Sequence, residues 1–497
     1  MSSLTKFPKL TAEEAAELIN HKETVAFSGF TAAGAAKAVP MAIADRAHLL
    51  HAKGDEYWLR VITGASTGQT IDDRLAEENV IAWRAPFQSS KKLRKQINSQ
   101  KVRFVDMHLS HLPQIVGFGF LGKINHAVVE ATEITPDGRV YLTSSIGASP
   151  TFLKSAEKVI IEINHRHSVR TREMADIITV PPPPNRNPIP IHDPLCRVGY
   201  PYAVVDPKKV IGIVENNEPD HVKPFTEPGD HCVKIAGHVL EFLLKEQDRG
   251  IIPKDFLPLQ AGVGNVANTV MSSLGSSDDI PPFYMYSEVL QDSLISLMES
   301  GSLLGASACS LTLSPDVLKR VYNNMDFFVP RIVLRPQEIS NNPGIIRRLG
   351  VIAINTALEM DIYGNVNSTH ICGTDIVNGI GGSGDFNRNA YLSIDMCPSI
   401  TRDGKISTVV PMCSHIDNTE HSVQIVVTEQ GLADLRGLGP RQRAETIIKN
   451  CAHPMYRETL QKYLKNSGNG HLPHDLNECF ALHRNLQQYG TMLPDGN

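Results

Sequence analysis

Short runs of β-branched residues, apolar almost without interruption, constrain this chain more than any other feature of its sequence. Val159-Ile160-Ile161-Glu162-Ile163 is the plainest case. Such a run is too short for a stable helix, and a strand with one wet face would alternate polar and apolar positions. A strand that does not alternate is covered on both faces, the condition of a parallel sheet flanked by helices. Similar runs at 24–29, 58–64, 102–107 and 127–131 are separated by amphipathic stretches at 38–50 and 91–100. This alternation predicts an α/β fold with mostly parallel sheets.

At 497 residues the chain exceeds what one hydrophobic core organises. Four consecutive prolines at 181–184 open an irregular stretch that continues to Pro194. Proline has no amide hydrogen to give to a ladder, so this stretch reads as a connection between domains. It predicts one α/β domain over 1–209, including the Pro-rich connection 181–195, and a second over 210–497. Beyond the connection, strands are expected at 210–215, 256–260, 283–287, 328–333, 351–355, 407–410 and 424–428. Helices are expected at 232–246, 265–274, 440–450 and 454–466.

Charge and cysteine usage exclude several classes. A net charge of −5 leaves no basic field for nucleic acid, and Lys91-Lys92-Leu93-Arg94-Lys95 reads as a solvated helix face. None of the eight cysteines stands in a C-x-x-C pair, which fits reduced thiols and neither a disulfide frame nor a zinc knuckle. No 18-residue apolar window exists, so no membrane span is expected. The polar start, without an apolar core or an Arg-rich presequence, predicts a cytoplasmic protein.

Three segments carry candidate chemistry. Gly262-Val263-Gly264-Asn265-Val266-Ala267 lies between a strand and a helix, where glycines admit a ligand to the backbone and a helix start offers amides to an anion. It matches the dinucleotide pattern G-x-G-x-x-A, and Glu288 stands 26 residues after Gly262, near where a ribose-binding acid would be. A tight turn closing helix onto sheet explains the glycines equally well. Glu288, in Ser287-Glu288-Val289-Leu290-Gln291-Asp292, is placed at a strand's carboxyl end, the functional rim of an α/β sheet; an ordinary helix-start acid would look the same. The third segment is Asn378-Gly379-Ile380-Gly381-Gly382-Ser383-Gly384-Asp385-Phe386. Glycine-bearing strand ends at 28–34 and 64–68 suggest that both halves line a cleft. His165-Arg166-His167 and the group His415, Asp417, Glu420 and His421 lack the spacing of a standard metal site. No nucleophile elbow and no P-loop is present.

Laid side by side, these segments resemble the acetyl-CoA hydrolase/transferase family nearly end to end. The likeness is carried by Gly262-Val-Gly-Asn-Val-Ala-Asn268, Ser287-Glu-Val-Leu-Gln-Asp292, Ser340-Asn-Asn-Pro343, Ile345-Ile-Arg-Arg-Leu-Gly350, Gly381-Gly-Ser-Gly-Asp-Phe386 and Thr428-Glu-Gln-Gly-Leu-Ala-Asp-Leu-Arg-Gly437. The resemblance implies tandem NagB/RpiA/CoA-transferase-like α/β domains with the active site between them. It implies that Glu288 forms a glutamyl-CoA thioester and that Asn341 holds the acyl or oxyanion end of the site. Gly262, Val263, Gly264, Asn265 and Val266 match the coenzyme A loop, and Asn378 and Gly382 match contacts in the second glycine loop. Lys405 matches a lysine near the coenzyme's phosphates, across a loop of different length, and Glu429 matches a second active-site acid. The activity implied is acyl-CoA:carboxylate CoA-transfer, with succinyl-CoA and acetate as the default pair and acyl-CoA hydrolysis as the alternative. Coenzyme A enters as substrate and covalent intermediate, with no tightly bound cofactor and no metal, and the assembly implied is a homodimer. A non-catalytic CoA sensor and a phosphosugar isomerase of related fold are the readings from other classes.

Overall fold

In the computed structural model, which describes residues 7–222 and 228–493, the strands assemble as their composition dictates. The chain divides into two compact units. One comprises Met1–Pro224, Met285–Ser296 and Leu304–Ile345; the other comprises Phe225–Tyr284, Leu297–Leu303 and Ile346–Asn497. Two segments from the second half of the sequence pack with the first half.

The first unit is organised round a nine-stranded sheet. Arg103–Phe104, Ile81–Ala85, Leu59–Ile62, Thr24–Phe27, His126–Ile134, Lys158–Asn164 and Val210–Asn216 lie side by side in that order, all parallel. Arg139–Leu142 and Ala203–Val204 add an antiparallel edge. The chain walks outward from Thr24–Phe27, then returns and builds the other side from His126–Ile134. The order reverses between those two strands, and open α/β sheets bind ligands at the carboxyl ends beside such a point. Glu162, the acid inside the most apolar strand, has a local reason to be there. It accepts bonds from the amides of Lys37 (2.7 Å), Ala38 (3.1 Å) and Val39 (2.8 Å) at the start of the helix Ala38–Ala52, where a helix leaves amides unpaired. The basic helix Lys91–Asn98 is capped by Ser90 and buries only Leu93 and Ile97, so its lysines face water.

The second unit has its own parallel strands, Leu259–Ala261, Ile352–Thr356, Leu392–Met396 and Ile425–Thr428, with Gly431–Asp434 antiparallel at the edge. The helix Asp230–Asp248 packs along Asn265–Gly275. The helices Pro440–Asn450, Pro454–Asn466 and Ala481–Tyr489 close a core that includes Tyr363, Val426, Ile447, Tyr456 and Leu460.

Three expected strands shift for identifiable reasons. The one expected at 256–260 begins only at Leu259, because Phe256 sits in a turn with φ +63°. That at 328–333 begins at Ile332, since Phe328 ends a helix and Pro330 follows. The run 407–410 divides: Ile406–Ser407 pairs with Ile400–Thr401, and Val409–Val410 pairs with Glu359–Asp361. All eight cysteines are free thiols. Among the described residues, no helix is long and apolar enough to cross a membrane.

Candidate active site

Glu288 follows the strand Phe283–Tyr286 and precedes Val289–Leu290, which pairs in parallel with Ser310–Leu311. The backbone is held on both sides of it: the Ser287 amide donates to the Ser307 carbonyl (2.9 Å), and the Cys309 amide donates to the Glu288 carbonyl (2.7 Å). The half-buried side chain accepts a short hydrogen bond from the Asn341 amide, Nδ2 to Oε1. Asn341 is fully buried at the end of the short helix Gln337–Ser340, with its own amide bonded to the Gln337 carbonyl (2.9 Å).

That helix is fixed by the carboxyl ends of the first unit's strands. The Gln337 amide donates to the Gly147 carbonyl (3.0 Å), and its side chain donates to the Leu109 carbonyl (2.8 Å). Gly64 is a close approach: a Cβ there would stand 2.8 Å from Gln337 Oε1 and 2.8 Å from the Gly29 carbonyl. Tyr286, fully buried, donates to the Ile339 carbonyl (2.6 Å) and ties the strand before Glu288 to the same helix. Phe30, Ala65, Leu109, Val289 and Cys309 form a small apolar cluster, with Phe87 packed against it. The two glycine-bearing strand ends singled out in the sequence thus meet the Glu288 segment at the sheet's switch point. Burial, followed by the Glu288 charge, holds the Cys309 thiol well above its ordinary range against a bond from Ser340. The thiol is thereby kept protonated and a poor nucleophile.

The loop at 262–266 closes a second feature. The Gly262 amide donates to the Ile354 carbonyl (2.9 Å), and Gly264 has φ +130°, a conformation that excludes most side chains. The helix Asn265–Gly275 starts immediately after it. Val263, Gly264, Asn265 and Val266 line a cavity of about 280 Å³ at the carboxyl ends of the second unit's parallel strands, opposite residues that include Thr356, Pro398 and His231. Sequence reading missed those three, which carry no motif.

In the second glycine loop, Gly381 has φ +61°, Gly382 immediately precedes the helix Ser383–Asn387, and half-buried Asn378 accepts from the Gly379 amide (2.8 Å). Glu429 follows the strand Ile425–Thr428. It accepts bonds from the Ser399 amide (2.7 Å), the Ser399 hydroxyl and Gln430 Nε2 (3.0 Å). Burial would raise its pKa, but these bonds outweigh burial and keep the carboxyl below its ordinary range. Glu429 thereby fixes the residue after Pro398, a wall of the cavity. Lys405 is exposed in a turn where Arg402, Asp403 and Gly404 all have positive φ, and it does not line the cavity.

The histidines weighed as metal ligands have other partners. His165 is exposed, whereas His167 is buried with Nε2 3.2 Å from Glu130 and Nδ1 2.8 Å from the Tyr322 hydroxyl. Glu130, His167 and Asp220 could by residue type hold a cation. The Lys37 ammonium, 2% exposed, sits against both carboxylates and supplies the charge there. Burial favours protonation of Glu130, but Lys37 and His167 outweigh it and lower its pKa to about 2. Asp417 accepts from the Ser368 amide (2.6 Å) and lies 3.1 Å from His415, anchoring a turn.

Comparison with known proteins shows the family. The N-terminal domain of the acetyl-CoA hydrolase/transferase family matches residues 1–215, and the family's C-terminal domain matches 318–464. The chain is 57% identical to a propanoyl-CoA:succinate CoA transferase of Escherichia coli, over 98% of this chain and 99% of that protein. It is 44% identical to a succinyl-CoA:acetate CoA-transferase of Clostridium kluyveri (97% and 90%) and 41% identical to an acetyl-CoA hydrolase of Candida albicans (98% and 95%). RipA from Yersinia pestis shares the fold with a TM-score of 0.69 at 23% identity, over 92% of this chain and 96% of that one. A 4-hydroxybutyrate CoA-transferase from Porphyromonas gingivalis does so with a TM-score of 0.62 at 20% identity (92% and 97%). With both family domains matched and near end-to-end relatives, the chain is an enzyme of the acetyl-CoA hydrolase/transferase family.

Proposed function

We propose that this enzyme transfers coenzyme A between an acyl-CoA and a free carboxylate, with Glu288 as the group that carries CoA covalently. The observation that carries the reading is the Asn341 amide on the half-buried Glu288 carboxylate. The carboxylate attacks the acyl-CoA carbonyl, forming an acyl-glutamyl anhydride and expelling CoA thiolate. The thiolate attacks the glutamyl carbonyl, releasing the first acid and leaving a glutamyl-CoA thioester. An incoming carboxylate attacks that thioester, and the thiolate then takes the new acyl group, restoring Glu288. This is covalent catalysis with ping-pong kinetics.

When the glutamyl carbonyl is attacked, negative charge gathers on the oxygen that Asn341 already holds, so the donor is in place before it is needed. The 262–266 loop, with Gly264 and the helix start after it, is assigned to CoA, as are Asn378 and Gly382. Lys405 is assigned to the coenzyme's phosphates from family resemblance alone. Glu429 acts through Ser399, as a positioning residue for the cavity wall. Binding energy from the long CoA chain is used at the reacting centre.

The two transferase relatives at 57% and 44% identity are named for succinate or succinyl-CoA on one side of the exchange. We assign that side to this chain as well. The expected acetate remains one candidate for the other acid, and the 57% relative favours propanoate. The family resemblance carries a homodimer as the working assembly. A hydrolase reading is favoured by several fungal relatives, acetyl-CoA hydrolases at 41–42% identity, and it differs by water access and not by catalytic residue.

The test is a panel of succinyl-, propanoyl- and acetyl-CoA against acetate, propanoate, succinate and water, with borohydride trapping and mass spectrometry of the Glu288 peptide. Exchange with a reduced adduct on that peptide supports the proposal. Product without an acceptor marks a hydrolase, and binding without turnover marks a sensor.

A further inference from the structure

Between the two glycine loops of the second unit runs a chain of buried amides that neither loop's motif includes. Gln260, Asn355, Asn387 and Asp395 are all nearly inaccessible to solvent, at 1%, 5%, 2% and 1% exposure. Gln260 lies two residues before Gly262 on the strand Leu259–Ala261, and Asn355 lies on the neighbouring strand Ile352–Thr356. The two side chains form a reciprocal pair: Gln260 Nε2 donates to Asn355 Oδ1 (3.2 Å), and Asn355 Nδ2 donates to Gln260 Oε1 (3.2 Å). The second hydrogen on Asn355 Nδ2 goes to Asn387 Oδ1 (3.1 Å), at the end of the helix that Gly382 opens. Asn387 Nδ2 in turn donates to Asp395 Oδ1 (2.8 Å), on the next strand in register with Asn355.

The direction of this chain is set at one end. An amide can present either oxygen or nitrogen, and here the Asp395 oxygen facing Asn387 is the acceptor. Asp395 Oδ1 therefore turns the Asn387 nitrogen toward itself, which turns the Asn387 oxygen toward Asn355, and that fixes Asn355 in turn. The Asn355 oxygen then lies directly under the first glycine loop: a Cβ on Gly262 would be 3.5 Å from it. Thr356, the residue after Asn355, lines the cavity beside Val263 and Gly264. Asp395 is fully enclosed, and burial lifts its carboxyl to about 7 against the bond from Asn387. A buried acid kept at that cost needs a use, and aligning a polar network is one the geometry supplies.

We propose that Asn355, aligned through Asn387 by Asp395, is a positioning residue that holds the 262–266 loop and the 379–384 loop at a fixed spacing for coenzyme A. The inference rests on the assignment of those loops to CoA. It separates binding from chemistry, because it predicts a change in CoA affinity and not in kcat.

The experiment measures CoA affinity by calorimetry, steady-state exchange and thermal unfolding for the full chain, for Asn355→Ala and for Gln260→Leu. Gln260→Leu keeps side-chain volume while removing the amide pair, so it carries the test if Asn355→Ala does not fold. The expected result is a tenfold or larger rise in the CoA dissociation constant and in KM for acyl-CoA. kcat should stay within threefold and KM for the acceptor acid within twofold. A merely structural role would lower the active fraction, and so the apparent kcat, without moving KM. Folded variants that bind CoA within twofold of the unaltered chain overturn the inference alone. An unaltered chain that binds no CoA overturns the assignment of the loops, and this inference falls with it.

Discussion

Asn341→Ala tests the proposed chemistry most directly. The substitution removes the donor on Glu288 Oε1 and leaves the Glu288 backbone bonds to Cys309 and the neighbouring Ser287–Ser307 bond intact. The lost stabilisation is that of a preorganised donor facing developing charge, about 3 kcal/mol, which corresponds to a loss on the order of 100-fold in kcat. The effect should fall on kcat with KM for acyl-CoA nearly unchanged, because the interaction strengthens only as the oxyanion forms. Folding is affected less. Truncating one buried hydrogen-bonding side chain costs about 1–2 kcal/mol, so the variant should unfold a few degrees earlier yet remain folded at assay temperature. Asn341→Asp is the sharper control. It sets a second carboxylate against Glu288, two like charges at such range cannot both ionise, and exchange should fall to the level of Glu288→Ala. Steady-state exchange with two acyl-CoA donors, beside mass spectrometry of the trapped thioester, reads both effects. A folded Asn341→Ala enzyme with kcat within threefold of the unaltered chain would refute the assignment of Asn341 as the oxyanion donor.

Other consequences can be checked independently. Gly64→Ala should cost about 1–3 kcal/mol of stability and at least tenfold in activity, measured by denaturant unfolding and exchange, because its Cβ would stand 2.8 Å from Gln337 Oε1 and from the Gly29 carbonyl. Iodoacetamide at pH 8 should label half-exposed Cys196 and Cys372 while leaving buried Cys309 unmodified; early labelling of Cys309 in peptide maps would contradict its raised pKa. Lys37→Met should destabilise the fold by about 3–5 kcal/mol in chemical denaturation, since it strands the Glu130 and Asp220 carboxylates in the interior. Glu130 is lowered from 4.5 to about 2 in the fold, so its contribution to stability is complete above about pH 4.5 and is lost as pH falls through that window. Unfolding free energy measured from pH 6 to pH 3 should decline for the unaltered chain and decline less for Lys37→Met.

The fold was legible where burial is two-sided. Lys158–Asn164 and Val210–Asn216 lie close to their expected limits because runs covered on both faces need no periodicity to be recognised. Pro440–Asn450 and Pro454–Asn466 match their expected limits because proline at the first helical position marks the start. The hairpin strand Arg139–Leu142 escaped notice, since a short strand of mixed polarity resembles a loop until its partner is known. So did the central strand Ile81–Ala85, which carries Trp83 and a wholly buried Arg84. Arg84 is tolerated there because Asp72, equally buried, accepts from its Nε (2.9 Å), a pairing across a turn that no local rule reads.

The same limit explains why Glu288 was ambiguous by pattern. A glycine loop, a helix and an acid 26 residues on describe a ribose-binding acid and a covalent nucleophile equally well. In the proposed mechanism, what separates them is the partner of the carboxylate. A ribose ligand would leave its oxygens to a sugar hydroxyl, whereas here one oxygen takes the amide of Asn341, 53 residues further along the chain. Asn341 is itself set by Gln337, Gly64 and Gly147, drawn from distant parts of the sequence. Motif spacing records only what is near in the chain, and an oxyanion donor has to be near in space. The glycines at 29 and 64 were the available signal for that proximity. Gly64 is small because Gln337, in the helix before Asn341, packs against it, and Gly29 because Ala35 and Thr67 do; a glycine that admits such a contact looks in sequence like any other turn.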